Sequence, residues 1–259
     1  PWVTQSTDPG APVVFDMLVE NNGPTSDSFN LSLDQALPAG WTVEFQLPDG
    51  SIVSNTGTIP AGASQAIRAV ITPADGALPG DTLVDVAVVS SVSGQGDRIV
   101  NQVTVNEIYD VKIIEDQSAQ ASPGGIVDIL HTISNEGNVA ITEASITQSG
   151  LTNFSGAIFW DQNGNGVIDP SEPVIDNFND LTDGVSPGVN GLAPGDSISL
   201  IYRVQTPSTA TQGVSEVGTI SINNTLNGTG TDIDQTNNAV EDRVVIISGD
   251  VTLSKYQYI

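Results

Sequence analysis

Two stretches of this chain repeat one pattern. Residues 9–23 (PGAPVVFDMLVENNG) and 123–137 (PGGIVDILHTISNEG) each read as a Pro-Gly turn, a long alternating run, and an Asn-containing turn closed by glycine. A second pair of landmarks, Ile59-Pro60-Ala61-Gly62 and Leu192-Ala193-Pro194-Gly195, precedes another alternating run that stops at Pro73 or Pro207. A repeat of this length is a supersecondary unit used twice, so the chain has to build two cores of one architecture. Successive side chains of a strand point to opposite faces, so alternation means a strand with one face buried. No stretch sustains helical periodicity, and no apolar run is long enough to span a membrane.

The two copies are not equal. Gly23 and Gly137 are 114 residues apart, whereas Gly62 and Gly195 are 133 apart, so the second copy has gained 19 residues between its landmarks. Insertions of this kind sit in loops and carry function. Near the middle of the second copy lies Asp161-Gln162-Asn163-Gly164-Asn165-Gly166-Val167-Ile168-Asp169-Pro170-Ser171-Glu172. Calcium takes six to eight oxygens, and a twelve-residue loop of EF-hand type supplies them at positions 1, 3, 5, 7, 9 and 12. Those positions are Asp161, Asn163, Asn165, the Val167 carbonyl, Asp169 and Glu172, with Gly166 where the backbone must turn sharply. The competing reading is an Asn/Gly turn with no ion. Residues 156–160 and 173–175 read as flanking strands, which makes the loop a hairpin tip. Without a helix pair to open, it stiffens the module and does not signal. Asp176, Asn177, Asp180 and Asp183 form a further acidic cluster, for which a solvated loop is the simpler reading than a second ion.

The ends of the chain carry a related signal. Asp110-Val111-Lys112-Ile113-Ile114 opens the second copy, and Asp250-Val251-Thr252-Leu253-Ser254 repeats it. The matching strand of the first copy would fall ahead of Pro1. Residues 250–259 therefore read as an extra strand with Val251, Leu253 and Tyr256 as its apolar positions. Three fates are open to it: donation to the first sandwich of another copy, the start of a third repeat, or pairing within its own chain. A start at Pro1 without a basic and apolar leader reads as a processed secreted chain or a piece of a longer one.

Charge and composition exclude several functions. Six basic residues face 31 acidic ones, a net charge of −25. Nucleic acid and anionic membrane surfaces would repel such a chain, and salt or bound cations relieve its self-repulsion. Cysteine is absent, so disulfides, thiolate metal sites and cysteine nucleophiles are ruled out. One histidine, His131, stands on an alternating strand, where a packing or surface role outweighs catalysis, and acyl-transfer chemistry has no further base to draw on. Trp2, Trp41 and Trp160 are scattered one per segment, which favours packing over a sugar-stacking platform. Sequons occur at Asn30, Asn153, Asn223 and Asn227.

The Pro-Gly turn, strand and Asn-Asn-Gly signature, Leu37-Pro38-Ala39-Gly40-Trp41-Thr42-Val43, the Pro-Ala-Gly turns and Asp234-Gln235-Thr236-Asn237-Asn238-Ala239 together carry a resemblance. The chain resembles the Ig-like repeat modules of bacterial and archaeal surface proteins. These include the conserved-repeat and CARDB-type sandwiches and the sandwich associated with some glycosidases' carbohydrate modules. The resemblance implies an extracellular, stalk-like or adhesive array. The expected fold is all-β: two tandem Ig-like β-sandwiches, the second with a calcium-binding loop insertion. The first spans 1–108 with its first strand incomplete, the second 109–249, and the extra strand 250–259. The expected function is non-enzymatic: a structural subunit of an extracellular filament, sheath or surface layer, assembling head to tail and rigidified by Ca2+. Its partners are copies of itself, without nucleic acid or membrane insertion. The alternative is an adhesin module that binds a glycan or receptor.

Overall fold

The computed structural model describes residues 2–181 and 191–247. The chain divides into two compact units, Pro1–Glu107 and Ile108–Ile259. Among the described residues the regular elements are strands, apart from one 3-10 turn at Phe178–Asp180.

The first unit contains β1 (Val3–Thr7), β2 (Val13–Glu20), β3 (Phe29–Leu33), β4 (Thr42–Gln46), β5 (Ser64–Thr72), β6 (Gly80–Ser90) and β7 (Gly96–Val105). They form two sheets, in the orders β1-β7-β6-β3 and β2-β5-β4. The alternation of β2 sends Val13, Phe15 and Val19 inward, where they meet Ile67, Ile71, Val84 and Val86 from β5 and β6. Val14, Asp16, Leu18 and Glu20 face outward. β7 forms over ten residues although its turn lacks the Asn-Asn signature of the second copy. Here Ser90 closes the hairpin, its N–H donating to the Gln95 carbonyl and its Oγ accepting from the N–H of Ser93.

The second unit contains β8 (Val111–Ile114), β9 (Gln117–Ala121), β10 (Ile126–Asn135), β11 (Ile146–Ser149), β12 (Ser155–Asp161), β13 (Ser197–Gln205), β14 (Ser215–Ile222), the short pair β15 (Thr225–Leu226) and β16 (Gly230–Thr231), and β17 (Ala239–Ile246). Its sheets run β11-β14-β17-β9 and β12-β13-β10-β8. Each strand of the first unit has a counterpart here in the same place. The single addition to the main sheets is β8, which lies on the free edge of β10 with Ile113 opposite Ile133 and Val111 opposite Asn135. The chain then changes sheets, and β9 pairs in parallel with β17, Gln117 opposite Asp242. In the first unit β1 makes the same parallel pairing with β7, Val3 opposite Asn101. Among the described residues no strand lies on the outer edge of β2. The expected strand at 173–175 reduces to one bridge, Val174 opposite Phe159, because the insertion leaves that edge immediately.

The two recurring landmarks recur because they touch. The Asn21 Nδ2 donates to the carbonyls of Thr25 and Ile59, its backbone carbonyl accepts from Gly62, and its Oδ1 accepts from Gly23. Asn135 makes the same set with Val139, Leu192, Gly195 and Gly137. Both asparagines are buried, and each amide spends its two donors on backbone carbonyls.

Candidate functional site

The inserted connection from β12 to β13 (162–196) is about twice as long as its counterpart from β4 to β5 (47–63) and holds the expected calcium loop. β12 delivers Asp161 into the loop at 4% exposure. The Asp161 carboxylate accepts the backbone N–H of Asn165 at 3.1 Å and of Gly166 at 2.8 Å. Gly166 has φ +73°, which favours glycine at this turn. Glu172, 7% exposed, folds back across the loop and accepts from the N–H of Gln162 at 3.1 Å and of Asp169 at 2.9 Å. Asn163 and Asn165 both aim their side-chain amides at Asp169 Oδ2, at 2.7 and 2.9 Å. The Val167 N–H donates to Asn165 Oδ1 in the same turn.

The fold thus gathers the side chains of five of the six expected ligand positions, Asp161, Asn163, Asn165, Asp169 and Glu172, into one bonded turn, with Val167 within it. Among the described residues no group of three or more His, Cys, Asp or Glu side chains is drawn together tightly enough to hold an ion. The carboxylates are spread around the turn and engage backbone N–H groups, and Asp169 receives two amide donors on lone pairs that a cation would take. The donor set nevertheless fits a hard cation, since all its ligating atoms are oxygens. A half-turn of either Asn amide exchanges nitrogen for oxygen without moving the backbone. Asp176, Asn177 and Asp180 stay at the 3-10 turn, where Asn177 caps the N–H of Asn179. Asp183 lies outside the described residues.

Beside the loop, a cleft of about 410 Å³ is lined by Leu130, His131, Asp161, Gly166 and Ser199, among others. His131 is buried beneath it, with Nε2 2.8 Å from Asp242 Oδ2 and Nδ1 3.2 Å from the Ile114 carbonyl. The other Asp242 oxygen accepts the N–H of Gln117. This pair ties β10 to β17 at the point where the chain passes from β8 to β9. Sequence reasoning found His131 but not its partner, which stands 111 residues away.

Asp110 and Glu216 are among the carboxylates whose pKa departs from the ordinary value. Burial pushes the Asp110 carboxyl upward, and the like charges of Asp232, Glu136 and Asp234 add to this, against a hydrogen bond from Asn237. For Glu216, burial acts upward but is outweighed, so the group stays below its ordinary value: it accepts the backbone N–H of Thr152, Asn153 and Phe154 and the Asn153 amide.

The tryptophans divide. Trp160 is in the second core at 4% exposure, Trp41 is half-buried against the first core, and Trp2 is 56% exposed. The three therefore form no common platform.

In the first unit the edge of β2 borders a groove of about 610 Å³ between the two sheets, lined by Met17, Val19, Phe29, Val86, Val88 and Ile99, with polar residues at its rim. The expected assembly residues Val251, Leu253 and Tyr256 lie outside the described residues.

Residues 7–91 match the NPCBM-associated, NEW3 domain of alpha-galactosidase. This match spans about a third of the chain and falls within the first unit. No curated protein matches the chain. Among solved structures, a protein of unknown function from Porphyromonas gingivalis W83 is similar at 11% identity and a TM-score of 0.31, over 95% of this chain and 94% of that one. The CsuC-CsuE chaperone-tip adhesion subunit pre-assembly complex of Acinetobacter baumannii gives 11% identity and 0.42, over 85% and 97%. The AgI/II polypeptide BspA C-terminal domain of Streptococcus agalactiae gives 10% and 0.28, over 94% and 95%.

Proposed function

We propose that the chain is a non-enzymatic structural subunit of an extracellular filament, sheath or surface layer, with copies joined head to tail by a donated strand and the second sandwich rigidified by calcium. The observation that carries the reading is the inequality of two equivalent edges. In the second unit β8 lies along β10, whereas among the described residues no strand lies along the same edge of β2, which borders an apolar groove. An uncovered edge of unpaired N–H and C=O groups invites another strand. Because donor and acceptor are different surfaces, such a contact repeats without closing. The absence of cysteine and the burial of His131 against Asp242 support a non-catalytic role. The charge of −25 supports a setting rich in salt or divalent cations.

Calcium is supported by the oxygen-only donor set of Asp161, Asn163, Asn165, Asp169 and Glu172 and by its place in the insertion. A ligand that binds only the folded state raises the melting temperature with its concentration. Calorimetry of the chain with calcium and with EDTA is expected to show an upward shift for one transition that disappears in Asp161→Ala. An unchanged melt in both conditions overturns the calcium reading. Electron microscopy of the purified chain is expected to show regular assemblies, and monomers at all concentrations overturn the structural one.

A second reading, an adhesin module that binds a glycan, is favoured by the match of residues 7–91 to a domain named for its place in alpha-galactosidase. Trp2 and Trp41 are the aromatic surfaces it would use, Trp160 being in the core. A glycan-array signal that Trp41→Ala removes supports this reading, and a blank array counts against it.

A further inference from the structure

We infer that the loop after β12 carries a self-modifying residue: Asn163 closes on the backbone nitrogen of Gly164, loses its amide as ammonia, and becomes aspartate or isoaspartate. The chain has five Asn-Gly pairs, beginning at Asn22, Asn163, Asn165, Asn190 and Asn227. Asparagine is thermolabile, and most so before glycine, where no Cβ shields the following nitrogen from the side-chain carbon. Asn190 lies outside the described residues, and the structure separates the other four.

In the reaction the Gly164 nitrogen forms a bond to Asn163 Cγ, the Cγ–Nδ2 bond breaks, and the Gly164 amide proton leaves on the ammonia. Water then opens the five-membered imide at either carbonyl, giving aspartate or, with the chain rerouted through the side chain, isoaspartate. Asn163 is set up for the first step. Its Oδ1 accepts the N–H of Asn165 at 2.9 Å, an Asx turn that folds the side chain back over the Asn163–Gly164 peptide. The same N–H stands where this oxygen gains negative charge in the tetrahedral intermediate. Its Nδ2, the leaving group, donates to Asp169 Oδ2 at 2.7 Å. Gly164 is exposed, with open space where a Cβ would stand. Among the described residues its N–H has no hydrogen-bond partner.

Each of the other three lacks one of these conditions. Asn165 has the same turn, through the N–H of Val167 at 2.7 Å, and the same Asp169 acceptor at 2.9 Å. Its attacking nitrogen, on Gly166, is held by Asp161 Oδ2 at 2.8 Å, and a carboxylate opposes the loss of that proton. The Gly23 N–H, which Asn22 would need, is engaged by Asn21 Oδ1 at 3.0 Å. The Asn227 side chain is held away from Gly228: Oδ1 accepts the N–H of Thr142 at 2.8 Å and of Glu143 at 3.1 Å, and Nδ2 donates to the Ala140 carbonyl. Asn163 alone among the four combines a free nitrogen with a side chain folded over it. The consequence for a cation rests on the calcium reading above. Aspartate at 163 adds a charged oxygen at the third loop position, whereas isoaspartate lengthens the backbone by a methylene and moves Asn165, Asp169 and Glu172 out of register with Asp161.

The test is incubation of the whole chain in EDTA at neutral pH, below its melting temperature, with peptide mapping by mass spectrometry over time. Fragment ions separate Asn163 from Asn165, and isoaspartyl methyltransferase labels the isoaspartate. Deamidation is expected several-fold faster at Asn163 than at Asn22, Asn165 or Asn227, with the four rates converging in urea. Asn163→Gln, which needs a six-membered ring, is expected to lose the fast phase. Asp161→Asn, whose neutral amide no longer opposes release of the Gly166 proton, is expected to bring Asn165 toward the rate of Asn163. Equal rates at Asn163 and Asn165 in the folded parent, or an intact Asn163 while Asn22 or Asn227 reacts, overturn the inference. Calcium titration of the fresh chain, the aged chain and Asn163→Asp checks the consequence: weaker binding after ageing to isoaspartate, and tighter binding in the variant. If Asn163 deamidates in a chain that binds no calcium, the calcium reading falls and this one stands. If the fresh chain binds calcium and Asn163 stays intact throughout, the reverse holds.

Discussion

Tyr202 carries the plainest cost in the second core. Its ring is fully buried, and its hydroxyl has no hydrogen-bond partner among the described residues. Burial, and to a lesser degree the charge of Asp242, push the phenol up to about 12, so it stays protonated throughout the physiological range. A buried hydroxyl without a partner forfeits its hydration, which costs about 1–3 kcal/mol. Tyr202→Phe keeps the ring and removes the penalty, so it is expected to raise stability by roughly 1 kcal/mol in denaturant titration; a loss would show that the hydroxyl is bonded in solution. Asp110 poses a charge problem instead. Its carboxyl is raised above the ordinary value by burial and by Asp232, Glu136 and Asp234. A carboxyl raised on folding favours the folded state below its unfolded value of about 4, and that contribution is lost as the pH rises through the folded value. Asp110→Asn should therefore melt above the parent at neutral pH, with the gap closing as the pH falls toward 4. A gap that is constant with pH would place the effect outside charge.

Among the elements, the buried asparagine clamps hold the most structure per residue. Asn135 satisfies the carbonyls of Val139 and Leu192 and joins the end of β10 to the turn that opens β13. Asn135→Ala removes both bonds while the Leu192 carbonyl keeps the Ile141 N–H, and at about 0.5–1.5 kcal/mol net for each bond the loss is about 1–3 kcal/mol. Chemical denaturation should show a loss of that size, and an equal loss for Asn21→Ala in the first unit. A negligible change in either would mean that water replaces the amide. These clamps also show what was legible in the sequence. Asn21, Gly23, Gly62 and their counterparts stood out as repeated letters, and the alternation of β2 and β10 gave the buried faces correctly, because both signals are local. The Asp161–Glu172 turn was legible for the same reason, its positions being set by spacing within twelve residues. The parallel pairing of β1 with β7 and of β9 with β17, and the passage of the chain from β8 to β9, left no local mark. Nor did the His131–Asp242 contact, since each residue alone reads as an ordinary polar position on a strand. The strand expected at Pro173–Ile175 failed because pairing depends on what lies alongside, and β12 offers Val174 one bridge only.

At the scale of the molecule, two cores of unequal strength sit in one strongly charged chain. Twelve buried apolar side chains form the core of the first unit, and twenty-five form that of the second, among the described residues. Over the described residues, 2–107 and 108–181 with 191–247, the second unit buries roughly one core side chain per five residues and the first roughly one per nine, and larger domains bury more of their surface on folding. Conformational entropy opposes folding nearly in proportion to length, so the first unit has the thinner margin. Against this stands a charge of −25, whose self-repulsion salt screens: the screening length falls from roughly 30 Å at about 0.01 M to roughly 3 Å at about 1 M. Calorimetry is therefore expected to resolve two transitions, both moving upward with sodium chloride. The lower one should expose Trp41, followed by the fluorescence of a Trp2→Phe/Trp160→Phe variant, and the upper one Trp160, followed in Trp2→Phe/Trp41→Phe. A single cooperative transition reported by both tryptophans would show that the units do not unfold independently, and a melt indifferent to salt would show that the acidic side chains are too well separated to repel.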